Sequence, residues 1–180
     1  MKLQTGTSLP AFSTIDVYGN TISSEKLRGK KILISFFRGA SCPFCNLHIR
    51  DILRSNLNTD DLTMVFFFTS SQEEILQHTN NSKTNFRLIA DPNLKYYNLF
   101  GIEKSRAGMF KAMFRIKRFI RIFSEGLFSM RSMMDIPTVP ADFLINEQGN
   151  IERVYYGKDY GDHLPIDEIR RWVGKPISLG

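Results

Sequence analysis

The sequence predicts an α/β fold in which a mixed central sheet is flanked by helices on both faces. Two near-continuous apolar runs of strand length, Lys31 to Phe37 and Leu62 to Thr69, read as strands buried on both sides. Helical patterns alternate with strand patterns along most of the chain, the order expected of helices packed on a sheet. A closing pair of strands joined by a short turn is antiparallel and makes the sheet mixed. The 180 residues are about one domain's worth, and 42% hydrophobic with 23% charged residues excludes a wholly disordered or collagen-like chain.

The elements follow in order. Val17 to Ile22 predicts a hairpin, with Gly19-Asn20 as turn chemistry between β-prone pieces. Ser23 or Ser24 is placed to cap a short helix ending near Gly29. After the first apolar strand, a helix is expected from about Cys42 to Leu57, with Cys45, Ile49, Ile52 and Leu53 on one stripe. Ser70 or Ser71 opens a helix after the second strand, with Glu73 and Glu74 in its favourable first turn. Phe86 to Ala90 reads as a short strand, Asp91-Pro92 as a turn and Leu94 to Phe100 as helical. Ala141 to Asn146 and Ile151 to Tyr156 make the strand pair, and Ile166 to Val173 a closing amphipathic helix with Trp172 in the core.

The net charge of +6 belongs to one segment. Residues 103–135 carry eight basic and three acidic residues, or +5, and the rest of the chain only +1. This basic insertion before the last strand pair is too long for an ordinary connection. Met109, Met113, Ile116, Ile120, Phe123, Leu127 and Met130 form a seam of helical period, which Gly126 is placed to interrupt. Lys111, Arg115 and Arg118 lie opposite, and Phe110, Phe114 and Ile122 on the flanks. Three readings fit: a helix docked on its own domain or across a homodimer, peripheral membrane contact through 108–130, or a lid near the cysteines. No recognised motif accompanies the charge, so no nucleic-acid partner is expected.

The two cysteines stand together in Cys42-Pro43-Phe44-Cys45, directly after a buried strand and at the start of a helix. With Cys42 as N-cap, Pro43 falls at the first helical position, where its missing N–H costs nothing. The Cys42 sulfur then faces the amides of Phe44 and Cys45 at the positive helix end, and Arg38 adds a cation, all favouring thiolate. Cys45 lies on the inward stripe and is expected to be the less exposed. Cα atoms three apart on a helix are about 5 Å from each other, within disulfide range. Cys42 therefore reads as the attacking thiol and Cys45 as the resolving one. Zinc would need two further ligands; His48, His78 and His163 are the histidines, and tetrahedral spacing is missing. His48 reads as a partly exposed helix residue and His163 as a turn residue.

With these motifs the chain resembles the thioredoxin-fold redoxins, in particular the peroxiredoxin-like branch called alkyl hydroperoxide reductase/thiol-specific antioxidant. The resemblance rests on Asp16 to Asn20, Lys31 to Gly39, Ser41 to Cys45, the Arg-Gly-x-x-Cys-Pro-x-Cys stretch from Arg38 to Cys45, Val139 to Asn146, and the Gly149-Asn150-Ile151 turn. It covers everything outside the insertion and implies a thioredoxin-like fold. It also implies a cis proline beside the active cysteine, a place that Pro140 fits, with Pro137 the second candidate. Two positions depart from the family pattern: Ser35 and Gly39 stand where a proline and a threonine or serine are usual. The hydroxyl that would meet a peroxide is thus missing from its usual place, although Ser41 is near in sequence.

The resemblance implies a thiol-dependent peroxidase, with Cys42, Cys45, Arg38 and Pro140 as site residues and no cofactor. Peroxide oxidises Cys42 to a sulfenic acid, Cys45 condenses with it to a disulfide, and an external dithiol such as a thioredoxin reduces the pair. The alternatives are a thiol–disulfide oxidoreductase acting on a protein disulfide and a redox-gated binding module. Asp142 reads as either a solvated strand residue or a partner of Arg38. A close cysteine pair, no signal-peptide run and no apolar stretch of membrane-spanning length give a cytoplasmic setting as the expectation.

Overall fold

A computed structural model describes residues 1–55, 57, 62–78, 86–104, 116–127 and 136–174, without the side chains of 116–119. The elements are β1 (Ser13–Ile15), β2 (Thr21–Ser23), β3 (Lys31–Phe36), α1 (Pro43–Arg54), β4 (Leu62–Phe68), α2 (Gln72–His78) and β5 (Phe86–Ala90). They continue with α3 (Lys95–Leu99), α4 (Ile116–Ser124), β6 (Ala141–Ile145), β7 (Ile151–Tyr156) and α5 (Ile166–Val173). Five strands form a sheet in the order β5-β4-β3-β6-β7, while β1 and β2 pair separately. β3 runs parallel to β4 and antiparallel to β6, so the sheet is mixed and β3 is its centre.

Alternation along β3 divides the core. Ile32, Ile34 and Phe36 face one layer, with Phe12, Phe67, Tyr96, Tyr97, Phe100 and Phe143. There the rings of Phe36 and Phe67 stack 4.6 Å apart at 11°, and Tyr97 and Phe100 close around Phe36 with centroids at 4.9 Å. Leu33 and Phe37 face the other layer, with Cys42, Cys45 and Ile52, Ile75 of α2 and Ile169 of α5. Each large side chain buried this way contributes about 1.5–3 kcal/mol.

Local chemistry accounts for the helix boundaries. Ser71 opens α2 through a reciprocal capping box: its Oγ accepts from the Glu74 amide at 3.2 Å, and Glu74 Oε2 accepts from the Ser71 amide at 3.3 Å. α4 stops at Gly126, whose φ of +67° is the left-handed stop; the Leu127 amide donates back to the Ile122 carbonyl at 2.9 Å.

Several expectations are corrected. Residues 24–29 form successive turns rather than a helix, closing at Gly29 with φ +87°. Ser23 still accepts the Lys26 amide at 3.2 Å, and Leu27 is drawn into the core. On α1 the buried line is Cys45, His48 and Ile52, whereas Leu53 is exposed. Trp172 is half-buried, with its indole N–H donating to Glu152 at 2.7 Å.

The insertion is helical over α4, which docks on α1. Arg121 reaches Asp51 at 2.8 Å and Glu125 at 3.0 Å, and Glu125 also pairs with Arg50 and Arg54. Ile122, expected on a flank, is 1% exposed, whereas Ile120 and Phe123 of the expected seam are 63% and 55% exposed. The ion pairs on α1 turn the helix from the face that hydrophobicity alone selects. The remainder of the seam (Met109, Met113, Met130), the side chain of Ile116, Lys111, Arg115, Arg118 and the flanking Phe110 and Phe114 lie outside the described residues and side chains. Among the described residues, no helix is long and apolar enough to cross a membrane.

Candidate active site

The site forms where β3, at the centre of the sheet, ends and the chain turns into α1. The Phe37 amide donates to the Phe67 carbonyl at 2.8 Å, and the Arg38 carbonyl accepts from Thr69 at 3.1 Å, extending the parallel pairing past the strand. Ser70 Oγ accepts the Ala40 amide at 2.9 Å, and Asn46 donates to the Ala40 carbonyl at 2.9 Å. The short connection is therefore held from β4 on one side and α1 on the other.

Cys42 is the N-cap of α1, with extended backbone at φ −68° and ψ 120°, and Pro43 occupies the first turn as expected. Its side chain makes no capping hydrogen bond to the helix amides. Instead Arg38 Nη1 donates to Cys42 Sγ at 3.7 Å. The cation expected to assist is thus the group in contact, and the helix end acts only through its dipole. The Arg38 guanidinium carbon sits over the Tyr160 ring, 3.9 Å from its centroid.

Both cysteines are thiols, and both are buried, Cys42 at 0% and Cys45 at 1% exposure. The expected difference in exposure is absent; the two sulfurs differ in their partners. Burial first, then a hydrogen bond to Cys42 and its charge, push the Cys45 thiol well above its ordinary value, outweighing the Arg38 guanidinium and backbone amide. Burial and the neighbouring Cys42 sulfur thus favour the protonated form of Cys45.

Pro140 is buried next to this corner, since the pairing of Phe36 with Ala141 sets it opposite Phe37. Every described peptide bond is trans, those before Pro137 and Pro140 included. Trans is the intrinsically favoured isomer by about 0.5–1 kcal/mol, and the Pro140 carbonyl accepts the Gly157 amide at 2.8 Å. A Cβ on Gly157 would collide with the Asp162 carbonyl and Pro140, so only glycine lets the segment after β7 approach this closely.

That segment, 157–164, brings in side chains that the sequence reading did not assign to the site. Tyr160 packs on Arg38, and His163 is buried against the sheet. Asp142 is fully buried and is neither solvated nor paired with Arg38: both its oxygens lie 3.1 Å from His163 Nδ1, and Oδ2 accepts the Leu164 amide at 2.7 Å. His48, also buried rather than partly exposed, stacks on His163 with centroids 4.1 Å apart at 8°. Burial opposes ionisation of Asp142, yet attraction to His163 and His48 and the Leu164 amide together hold the carboxyl below its ordinary value. The signal available in the sequence was Asp142 itself, a charge within an apolar strand that must have a partner.

Ligand atoms of His48, Asp142 and His163 lie within 4.8 Å of one another, as a metal would require. The rings, however, are stacked, and a cation in the plane of one stands well outside the plane of the other. His163 Nδ1 is also already engaged by Asp142. The cluster is a hydrogen-bonded pair with a stacked neighbour and does not converge on a metal.

The arrangement has relatives. The sequence model of the Redoxin family matches residues 4–127. A Haemophilus influenzae protein, named by inference as peroxiredoxin bcp, is 27% identical over 172 residues, covering 93% of this chain and 97% of that one. Among solved structures, a thiol peroxidase from Chromobacterium violaceum superposes with a TM-score of 0.68 at 13% identity, covering 97% of this chain and 87% of that one. AhpC of Mycobacterium tuberculosis gives 0.66 at 15% identity, covering 97% and 93%. These two likenesses establish the thioredoxin-like fold.

Proposed function

The chain belongs to the Redoxin family, and on that footing we propose that it is a thiol-dependent peroxidase with Cys42 as the attacking thiolate. The observation that carries this reading is the guanidinium of Arg38 on Cys42 Sγ, with Cys45 one helical turn away on α1. A cation in contact favours the thiolate, the form that reacts.

The Cys42 thiolate attacks one peroxide oxygen and the O–O bond breaks. The departing alkoxide or hydroxide takes a proton and leaves as alcohol or water, and Cys42 becomes a sulfenic acid. The Cys45 sulfur then displaces the sulfenic hydroxyl. Its proton leaves with that hydroxyl as water, and the disulfide forms. An external dithiol of thioredoxin type returns both thiols and is itself oxidised to a disulfide. A reducing compartment, the cytoplasm, suits this cycle.

A peroxide of a few atoms needs less room at the buried Cys42 sulfur than a protein disulfide does. The same burial requires this corner to open when an external dithiol reduces the Cys42–Cys45 disulfide. Disulfide exchange remains the second reading, because Gly39 stands where a hydroxyl is usual. Rapid mixing of the reduced protein with hydrogen peroxide separates them. Thiol loss is expected to be fast in the wild type, absent in Cys42→Ser, and to stop at a trappable sulfenic acid in Cys45→Ser. Oxidation no faster than that of a free thiol, together with efficient reduction of insulin disulfides, would overturn the peroxidase reading.

A further inference from the structure

We propose that Tyr160 is a positioning residue for the reaction, its ring face holding the Arg38 guanidinium on the Cys42 sulfur. The inference rests on the reading of Cys42 as the reactive thiol, and it adds a residue from the far edge of the sheet to that site.

Three observations carry it. The guanidinium carbon lies 3.9 Å from the Tyr160 ring centroid, while Nη1 of the same group donates to Cys42 Sγ at 3.7 Å. Arg38 is thus sandwiched between an aromatic face and a sulfur. Tyr160 itself is buried at 4% exposure, and a desolvated cation–aromatic contact is stronger than an exposed one. The segment that delivers Tyr160 is pinned on both sides. Asp162 accepts from the Lys158 amide at 2.9 Å and from the Tyr155 hydroxyl at 3.0 Å, Gly161 donates to Asp159 at 3.0 Å, and Gly157 donates to Pro140. An arginine side chain has many rotamers, and contact with a rigid, buried ring narrows them toward those that keep Nη1 on the sulfur.

The charged and titratable groups on the elements around Cys42 include Arg38 before α1, Cys45 on α1, and the buried Asp159, Tyr160 and Asp162 on the segment after β7. Burial raises the Tyr160 phenol, the Arg38 cation lowers it and Cys42 raises it, as expected of a ring close to both partners. The phenol therefore stays neutral through the range in which a thiol titrates, and the ring contributes only its face.

The test reads Cys42 ionisation directly, by thiolate absorbance against pH in a Cys45→Ser background, so it does not depend on peroxide being the substrate. Tyr160→Leu is expected to move the Cys42 midpoint upward by about one pH unit, and Tyr160→Phe, which keeps the aromatic face, to leave it within a few tenths. With Arg38→Ala present, adding Tyr160→Leu is expected to change nothing further, a coupling that general loss of packing would not produce. An unmoved midpoint in Tyr160→Leu, an equal shift in Tyr160→Phe, or a shift that persists without Arg38 would each overturn the proposal. A normal ionisation pattern with no peroxide reaction would sink the peroxidase reading and leave the role of Tyr160 standing.

Discussion

Asp142 shows what a single side chain contributes here. A carboxylate at the centre of a sheet is tolerated because His163 Nδ1 and the Leu164 amide meet it and His48 stacks behind. Removing one partner of such a pair strands the other in an apolar layer, so Asp142→Ala is expected to lose about 3–5 kcal/mol in urea unfolding. Asp142→Asn keeps the shape and an acceptor and should lose less. Its pH dependence has a definite sign. The folded carboxyl titrates below its ordinary value, so its stabilisation is complete above the ordinary range and is lost as pH falls through the lowered folded value. The sequence shows Asp142 as a charge in an apolar run, but His163 lies 21 residues away and His48 on another element. Their meeting is not written in any local spacing.

At the scale of elements, α1 serves two ends. Its amino terminus presents Cys42 and Cys45, and its last turns hold α4 through Arg50, Asp51 and Arg54. Glu125 is the hub of that contact. Hydrogen bonds from Arg121, Arg54 and Arg50 take its carboxyl from 4.5 to about 2, against the effect of burial. The contribution of Glu125 is therefore present in full above pH 4.5 and falls away as pH drops toward 2. Glu125→Gln is expected to loosen α4 at neutral pH, seen as faster amide exchange over 116–124 with α1 and the sheet unchanged. High salt should produce part of the same loosening in the wild type. Sequence periodicity found this helix but chose the wrong face, since hydrophobic spacing takes no account of where the partner's charges lie. The same limit explains Leu53 on α1, apolar and correctly spaced yet exposed.

For the whole molecule, the sheet divides two unlike layers. One is an aromatic block centred on Phe36, and the other is the layer beneath α1 that contains both thiols. Phe36→Ala is expected to cost about 3–5 kcal/mol in global unfolding through the cavity it leaves. Because its ring faces away from the cysteines, the Cys42 midpoint in the folded protein should stay where it is. A midpoint that moved with Phe36 would show the layers to be coupled across β3.

Much of the architecture was legible because strands and helices declare themselves by local period. The apolar runs became β3 and β4, Ser71, one of the two serines expected to open α2, does so, and α5 spans the residues its amphipathic pattern predicts. The Cys-Pro-Phe-Cys pair and Arg38 were legible as well, since a strand-to-helix junction is itself a local feature. Tertiary structure alone decided which atoms those groups meet. It turned Cys42 toward Arg38 rather than the helix amides, buried both thiols, kept Pro140 trans, and folded residues 157–164 back over the site with Tyr160 and His163. The sequence by itself determined the chemistry that the site offers, because side-chain type and spacing along one element are local. The packing of distant segments determined how that chemistry is held, because burial and charge depend on neighbours that only the closed chain supplies.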